Sequence, residues 1–343
     1  SQGCPRDTHM ARDAKTSASS KDRPGTFGGE RDGLRVYWNG ATARQWDAWV
    51  EAMPRSVIEQ TWAYGEAFVG VTPYLPVHGV VYRGANPIAI AQILEWRVGG
   101  VVRVVKIVRG PLFLEGASES ERITALWLIR ERYSFSRLDL LLWTPELEET
   151  PEAHGLLRSM GLRRLITGYS SVWLDLTQDE VSLRAGLQQN WRNQLVRSEG
   201  ANLRVRMGHA GASLEWLLTR HEGHRRRKRL RAPASPFVLA ISLAQRNKQS
   251  TLAFTAFSGS EPVAAILVFR HGQSATYYIA WTGPEGRRRH ANNLLLWHAV
   301  KELKSRGVKW FDLGGVDGLS MPGVSRFKLG MGGELYTLAG TYL

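Results

Sequence analysis

The stretch Lys309–Lys328, KWFDLGGVDGLSMPGVSRFK, decides how the rest of the chain is read. Trp310-Phe311-Asp312-Leu313 has the make-up of a short buried strand, with aromatic and apolar residues around one carboxylate. Gly314-Gly315 ends it, and Gly318, Pro322 and Gly323 supply loop geometries that side chains with a Cβ resist. Ordered chain resumes at Phe327-Lys328, and Leu329-Gly330-Met331-Gly332-Gly333 leads into a last strand, Glu334 to Tyr342. A glycine-lined loop leaving a strand end, with one lysine behind it, suits an anion or a developing negative charge. The same residues also suit a surface connection with a solvated lysine.

Upstream of this stretch the chain repeats itself. Thr251 to Phe269 reads as strand-turn-strand around Gly259-Ser260-Glu261-Pro262, Ala275 to Trp281 as a strand, and Ala291 to Arg306 as a helix containing Trp297. The first half offers the same series: the hairpin His78 to Leu94 turning at Pro87, the strand Val101 to Leu114, the helix Ser118 to Arg132 with Trp127, and the strand Arg137 to Trp143. Pro87 and Pro262, Trp127 and Trp297, and Asp139 and Asp312 are each displaced by roughly 170–175 residues, too long a period for a solenoid. The pattern predicts a duplicated α/β module, two similar mixed sheets with helices on their faces, and Asp139 and Asp312 on equivalent strands. The expected divisions are a disordered head over 1–33, a first unit over 34–170 and a second over 171–343. Leu34 to Trp38 is a first strand, Ala43 to Met53 and Glu59 to Phe68 are amphipathic helices, and Thr150 to Met160 is a short helix. Asp179 to Ser198, Ala212 to His224 and Pro236 to Asn247 are extra helices of the second half.

With 343 residues, 43% hydrophobic content and 13 tryptophans, the chain has material for two packed units. No apolar run approaches a membrane span. His9-Met10 reads as a tag remnant within the polar, Gly- and Ser-rich head. The single cysteine, Cys4, lies in that head, which excludes a disulfide framework and a core thiol nucleophile and suits a reducing cytoplasm. A net charge of +14 points to a polyanionic partner: nucleic acid, a phosphorylated substrate or, by peripheral contact, an anionic membrane. There is no G-x-S-x-G elbow, Walker loop or G-x-G-x-x-G. His221-Glu222-Gly223-His224 spaces its histidines i, i+3 rather than the i, i+4 of a zinc-protease helix, so no metal is assigned there.

The hairpin, the long helix, Phe311-Asp312-Leu313-Gly314-Gly315, and then Gly323 and Phe327-Lys328 resemble the C-terminal half of the FemABX peptidyltransferases. Trp173-Leu174-Asp175-Leu176 with Leu187 and Arg192 resembles the start of that family's second domain, and Gln60-Thr61-Trp62 an early element of its first. The resemblance runs from about Leu34 to Leu343, lacks the long coiled-coil arm, and implies two tandem domains of acetyltransferase-like (GNAT) fold. It also implies transfer of an amino acid from aminoacyl-tRNA, as co-substrate, to an amine or peptide acceptor: a cell-wall precursor, a natural-product intermediate or another small amine. An aminoacyl ester is already activated, so aminolysis needs positioning, a route for one proton and a stabilised oxyanion rather than an enzyme nucleophile.

On this resemblance Lys328 stabilises the oxyanion or a phosphate, and as an exposed side chain it is expected to matter little to folding. Asp312 either orients the glycine loop through backbone N–H groups or accepts a proton. Gly314 and Gly315 belong to the substrate loop, and Tyr277 and Tyr278 face opposite sides of one strand, where Tyr278 is a substrate contact. Arg192 and Arg109 are candidates for an acceptor phosphate or carboxylate, since a guanidinium fork matches both. Arg225-Arg226-Arg227-Lys228-Arg229 with Arg231, and Arg287-Arg288-Arg289, are candidate tRNA-backbone contacts or simply solvated faces. The competing donor is acyl-CoA: Gly286 to Asn293 precedes a helix where acetyltransferases bind pyrophosphate, but Ala291-Asn292-Asn293 stands where glycines belong. A third reading is a non-catalytic basic RNA-binding protein.

Overall fold

A computed structural model describes residues 25–316 and 321–343. The first lobe runs β1 (Gly25–Arg31), β2 (Leu34–Asn39), α1 (Ala43–Ala52), α2 (Trp62–Phe68), β3 (Leu75–Arg83), β4 (Asn86–Val98), β5 (Val102–Val108) and β6 (Leu112–Phe113). It continues with α3 (Glu119–Glu131), β7 (Asp139–Thr144), α4 (Pro151–Ser159) and β8 (Arg164–Ile166). The second lobe has β9 (Ser170–Asp175), α5 (Glu180–Gly186), α6 (Gln189–Glu199), β10 (Leu203–Gly208), α7 (Ala212–Lys228), α8 (Ser235–Ala244), β11 (Thr251–Ser258) and β12 (Glu261–His271). Then come β13 (Ser274–Thr282), α9 (Pro284–Arg288), α10 (Ala291–Ser305), β14 (Trp310–Gly315), α11 (Pro322–Leu329), β15 (Glu334–Thr337) and β16 (Thr341–Tyr342).

The predicted duplication is present. β2-β3-β4-β5-β7 and β10-β11-β12-β13-β14 share one order, antiparallel at each step except the last, where β5 with β7 and β13 with β14 run parallel. Asp139 and Asp312 therefore sit on equivalent strands. Each parallel crossover passes through a helix, α3 or α10. Ser118 caps the former, accepting from the Glu121 N–H while Glu121 reaches back.

Several boundaries differ from expectation. Gly25–Arg31, placed in the head, pairs antiparallel with β2, because an edge strand is available to it whatever its glycine content. The expected last strand splits: β15 pairs with β9 in the second sheet, whereas β16 crosses to the first and lies between β7 and β8. Residues 341–342 thus complete the first lobe, where Tyr342 is 1% exposed. Asp179 to Ser198 is two helices broken at Leu187-Gln188, and β10 went unpredicted. Pro322–Leu329 is a helix; proline at its start lacks only an N–H that would have no intrahelical partner. Gly318 lies outside the described residues, as do Cys4 and the His9-Met10 pair.

The lobes share apolar contacts. Ile58 and Ala67 of the first pack with Leu217, Ile241 and Phe269 of the second, and Trp46 and Val50 join a cluster with Trp173. The Ser56 N–H donates to Ser274 Oγ (3.0 Å), and the Ser56 hydroxyl donates to the His271 carbonyl (2.8 Å). Among the described residues no helix is long and apolar enough to cross a membrane.

Candidate active site

The two parallel strand pairs differ in one respect. In the first lobe β5 and β7 stay paired from Arg103–Asp139 through Val108–Thr144. In the second, β13 and β14 pair only from Ser274–Trp310 to Thr276–Asp312. Just beyond, β13 carries a bulge: Leu267 faces Ile279 and Val268 faces Tyr277, leaving Tyr278 as the extra residue. A bulge bends and twists its strand, and here it coincides with the point where β13 leaves β14. Beside the bulged end of β13 lies a cleft of about 460 Å³ lined by Tyr277, Tyr278, Trp281, Phe327 and Lys328 among others. Tyr277 packs toward one apolar cluster of the lobe and Tyr278 toward another, as strand alternation predicted.

Helix α11 brings Lys328 to the floor of this cleft. Its ammonium donates to the Gly315 carbonyl (2.8 Å) and lies 5.7 Å from the centre of the Tyr277 ring. Lys328 is 9% exposed, so the expectation of a solvated lysine, with little bearing on folding, is corrected. Burial pulls its pKa down to about 8, and the nearby Asp312 charge only partly restores it. It remains a cation at neutral pH and is poised to lose its proton just above.

Asp312 holds the strand end that Lys328 touches. Its Oδ1 accepts from the Gly314 N–H (2.8 Å) and from the Ser171 hydroxyl, and its Oδ2 accepts from Arg109 Nη1 (2.8 Å). Burial opposes its charge, yet the Arg109 cation and these hydrogen bonds together hold the carboxyl below its ordinary range. Gly314 has φ +75°, and a Cβ there would lie 3.2 Å from the Tyr277 carbonyl and 3.3 Å from Lys328 Nζ. At Gly315 a Cβ would strike the Tyr169 ring at 2.7 Å.

Arg109 comes from the other lobe, 203 positions away in sequence. It is 4% exposed and sits among three carboxylates: Glu146, bound twice (2.8 and 3.0 Å), Asp312, and Glu59 at 3.9 Å. Its own backbone N–H donates to the Thr144 carbonyl (2.7 Å). The buried Gln60 side chain fixes the preceding residue, donating to the Val108 carbonyl (2.8 Å). So Gln60 anchors Arg109, Arg109 anchors Asp312, and Asp312 shapes the Gly314-Gly315 backbone that receives Lys328. Arg109 is therefore a structural link across the lobes, and its guanidinium is already occupied rather than free to grip an acceptor.

The remaining sequence candidates scatter. Arg192 is half-buried on α6; its neighbours Gln188, Trp191 and Gln194 line an adjoining cleft of about 430 Å³ with Arg326 and Phe327, but Arg192 lines neither cleft. Arg225 and Arg226 both bind Glu222, at 2.7 Å each, which neutralises part of the dense basic run. Arg227, Lys228, Arg229 and Arg231 are exposed. Arg287 lines the cleft and donates to the Thr282 carbonyl (2.7 Å), whereas Arg288 and Arg289 pair with Glu285. His221 binds the Pro233 carbonyl (2.8 Å).

Sequence reasoning missed Ser171, Glu146, Glu59 and Tyr169. Ser171 lies two residues before the quoted Trp173-Leu174-Asp175-Leu176, and strand alternation from Trp173 was the available signal. Glu146 sits in an acidic segment with Glu148 and Glu149, and Glu59 opens the expected helix Glu59 to Phe68; only the tertiary position of Arg109 distinguishes them.

Comparison with known proteins agrees with this architecture. Residues 184–329 match the family described as an acetyltransferase (GNAT) domain. No curated protein matches the chain by sequence. Among solved structures, FemX superposes with a TM-score of 0.74 at 14% identity, over 89% of this chain and 96% of FemX. A conserved protein of unknown function from Bacteroides thetaiotaomicron gives a TM-score of 0.58 at 10% identity, over 88% and 99%. A tandem GNAT protein from the clavulanic acid biosynthesis pathway gives 0.52 at 13% identity, over 89% and 99%. The chain is built like FemX, with two tandem GNAT-type lobes whose central parallel strands pair over a shorter stretch in the second lobe than in the first.

Proposed function

We propose that the protein transfers an amino acid from aminoacyl-tRNA to an amine, forming an amide by direct aminolysis. The observation that carries this reading is the buried Lys328 ammonium at the floor of the open cleft, within a fold shared with FemX. The amine nitrogen attacks the ester carbonyl carbon, and the carbonyl oxygen takes up negative charge as the tetrahedral intermediate forms. The Lys328 ammonium donates to that oxygen, where partial burial strengthens the interaction relative to water. Collapse expels the tRNA ribose hydroxyl, which takes the proton lost by the amine. No covalent enzyme intermediate is needed.

The first lobe contributes through Arg109 rather than through a second cleft, because β5 and β7 leave no gap. The acceptor class is a small amine or peptide amine. Acyl-CoA is the second reading, favoured by the GNAT fold and by the position of Gly283–His290 between β13 and α10. Against it, the backbone amides of Arg287, Arg289, His290, Asn293 and Leu294 already donate to chain carbonyls, where a pyrophosphate loop offers them to the ligand.

The test uses purified protein, a labelled amino-acid mixture, total tRNA, synthetases and an amine-containing extract. The tRNA reading predicts amide product that disappears with RNase. Product formed from acyl-CoA and indifferent to RNase would replace it with the second reading, and RNA binding without transfer would replace it with a non-catalytic role.

A further inference from the structure

Outside the cleft, one face of α7 carries Trp216, Arg220 one turn on and Arg227 two turns beyond that. With Trp281 of β13 they line a separate groove of about 470 Å³. The two indoles meet edge to face, with centroids 5.3 Å apart at 90°. The exposed Arg220 guanidinium lies 5.6 Å from one ring and 5.4 Å from the other. Among the described residues no carboxylate forms an ion pair with Arg220 or Arg227, although Glu215 also lines the groove. This contrasts with Arg225 and Arg226, which share Glu222. His224 and Trp281 line both this groove and the Lys328 cleft, so the two are contiguous.

We propose that this groove binds a nucleotide, with a nucleobase stacked on the face of one indole, edge-on to the other, and its phosphate held by Arg220 and Arg227. A half-buried indole pair offers apolar faces that any base covers, and such stacking is worth about 1–3 kcal/mol per base. A guanidinium fork matches a phosphate, and two guanidiniums without carboxylate partners beside those rings supply it. In the free protein Arg220 covers the indoles itself; a phosphate draws it off and opens the ring faces. Two sources present this chemistry at the mouth of the cleft. One is the 3′ end of an aminoacyl-tRNA, its ester at Lys328 and its neighbouring base in the groove, which rests on the function proposed above. The other is the 3′-phosphoadenosine of an acyl-CoA.

The experiment measures binding, not turnover. A 5′-labelled RNA oligonucleotide ending in CCA is titrated by anisotropy, and 3′,5′-ADP by calorimetry, against the wild type, Trp216→Leu and Arg220→Gln. At least one probe is expected to bind, and each substitution to weaken it by about tenfold, with a smaller salt dependence in Arg220→Gln. Binding of the oligonucleotide alone identifies the source as RNA. Binding of 3′,5′-ADP alone upholds the groove and identifies its source as acyl-CoA, while the donor of the transfer is still decided by its sensitivity to RNase. Arg220 is exposed and its replacement leaves the core untouched, so unchanged affinities for both probes in Arg220→Gln would overturn the proposal. That outcome stands apart from the function proposed above, because RNase-sensitive transfer could persist without the groove.

Discussion

Replacing Lys328 with methionine separates what the lysine does for chemistry from what it does to stability. Methionine keeps a long unbranched stem in the cleft floor but removes the ammonium. Because burial lowers the lysine pKa from 10.5 to about 8, the folded state holds this proton less tightly than the unfolded chain does. That difference opposes folding by about 3 kcal/mol at pH 7. The methionine variant escapes it and gives up one hydrogen bond to Gly315, worth about 1 kcal/mol. The expected net effect is stabilisation by about 2 kcal/mol at pH 7. For a group whose folded pKa is depressed in this sense, wild-type stability rises as pH climbs from about 8 toward 10.5. The advantage of the variant therefore shrinks by about 1.4 kcal/mol per pH unit in that window. Urea unfolding at a series of pH values measures it, while single-turnover kinetics should show a loss of roughly 10²–10³ in rate. A variant that is less stable than wild type, with a difference independent of pH, would refute the reasoning about burial. Full turnover would refute the catalytic role.

Arg109→Ala leaves Asp312, Glu146 and Glu59 without their shared cation and should destabilise the fold by about 3–5 kcal/mol. Arg109 helps hold the Asp312 carboxyl below its ordinary range, so the deficit should narrow as pH falls and Asp312 takes up its proton, which pH-dependent unfolding would reveal. Gly314→Ala forces a side chain into a positive-φ position against Lys328; about 1–2 kcal/mol of stability should go, and turnover should fall about tenfold with donor affinity unchanged. Reversing Arg227 and Arg229 to Glu should raise the KM for aminoacyl-tRNA and flatten its salt dependence by roughly 1–2 in the log–log slope, leaving the saturated rate nearly fixed. An unaltered slope would remove these two exposed arginines from the tRNA contact.

Much of the scaffold was legible because local pattern and tertiary demand coincide. Trp310 to Leu313 reads as a buried strand and is one, and Ser118 with Glu121 announces the helix they cap. Failures fall where the deciding contact is remote. Gly25–Arg31 has too much glycine to read as a strand and becomes one only against β2. The Glu334–Tyr342 segment carries nothing to say that its end belongs to the other sheet. Pro322-Gly323 has the make-up of a loop, although proline also suits the first turn of a helix. At the site, Lys328, Asp312 and the two glycines were visible as a cluster because they are close in sequence. Their dependence on Arg109 was not, since nothing local ties residue 109 to residue 312. Nor could sequence reveal that Lys328 is buried, because that follows from α11 setting it between the Gly315 carbonyl and the Tyr277 ring.

The central claim is that an aminoacyl ester reacts with an amine at Lys328. Its most direct measurement is single-turnover discharge of a mixed, labelled aminoacyl-tRNA pool by wild type and Lys328→Met, with an amine acceptor fraction supplied. The account predicts acceptor-dependent conversion of ester to amide by the wild type, abolished by RNase and slowed roughly 10²–10³ in the variant. Equal rates in the two proteins, or amide formed only when acyl-CoA replaces the tRNA pool, would contradict it.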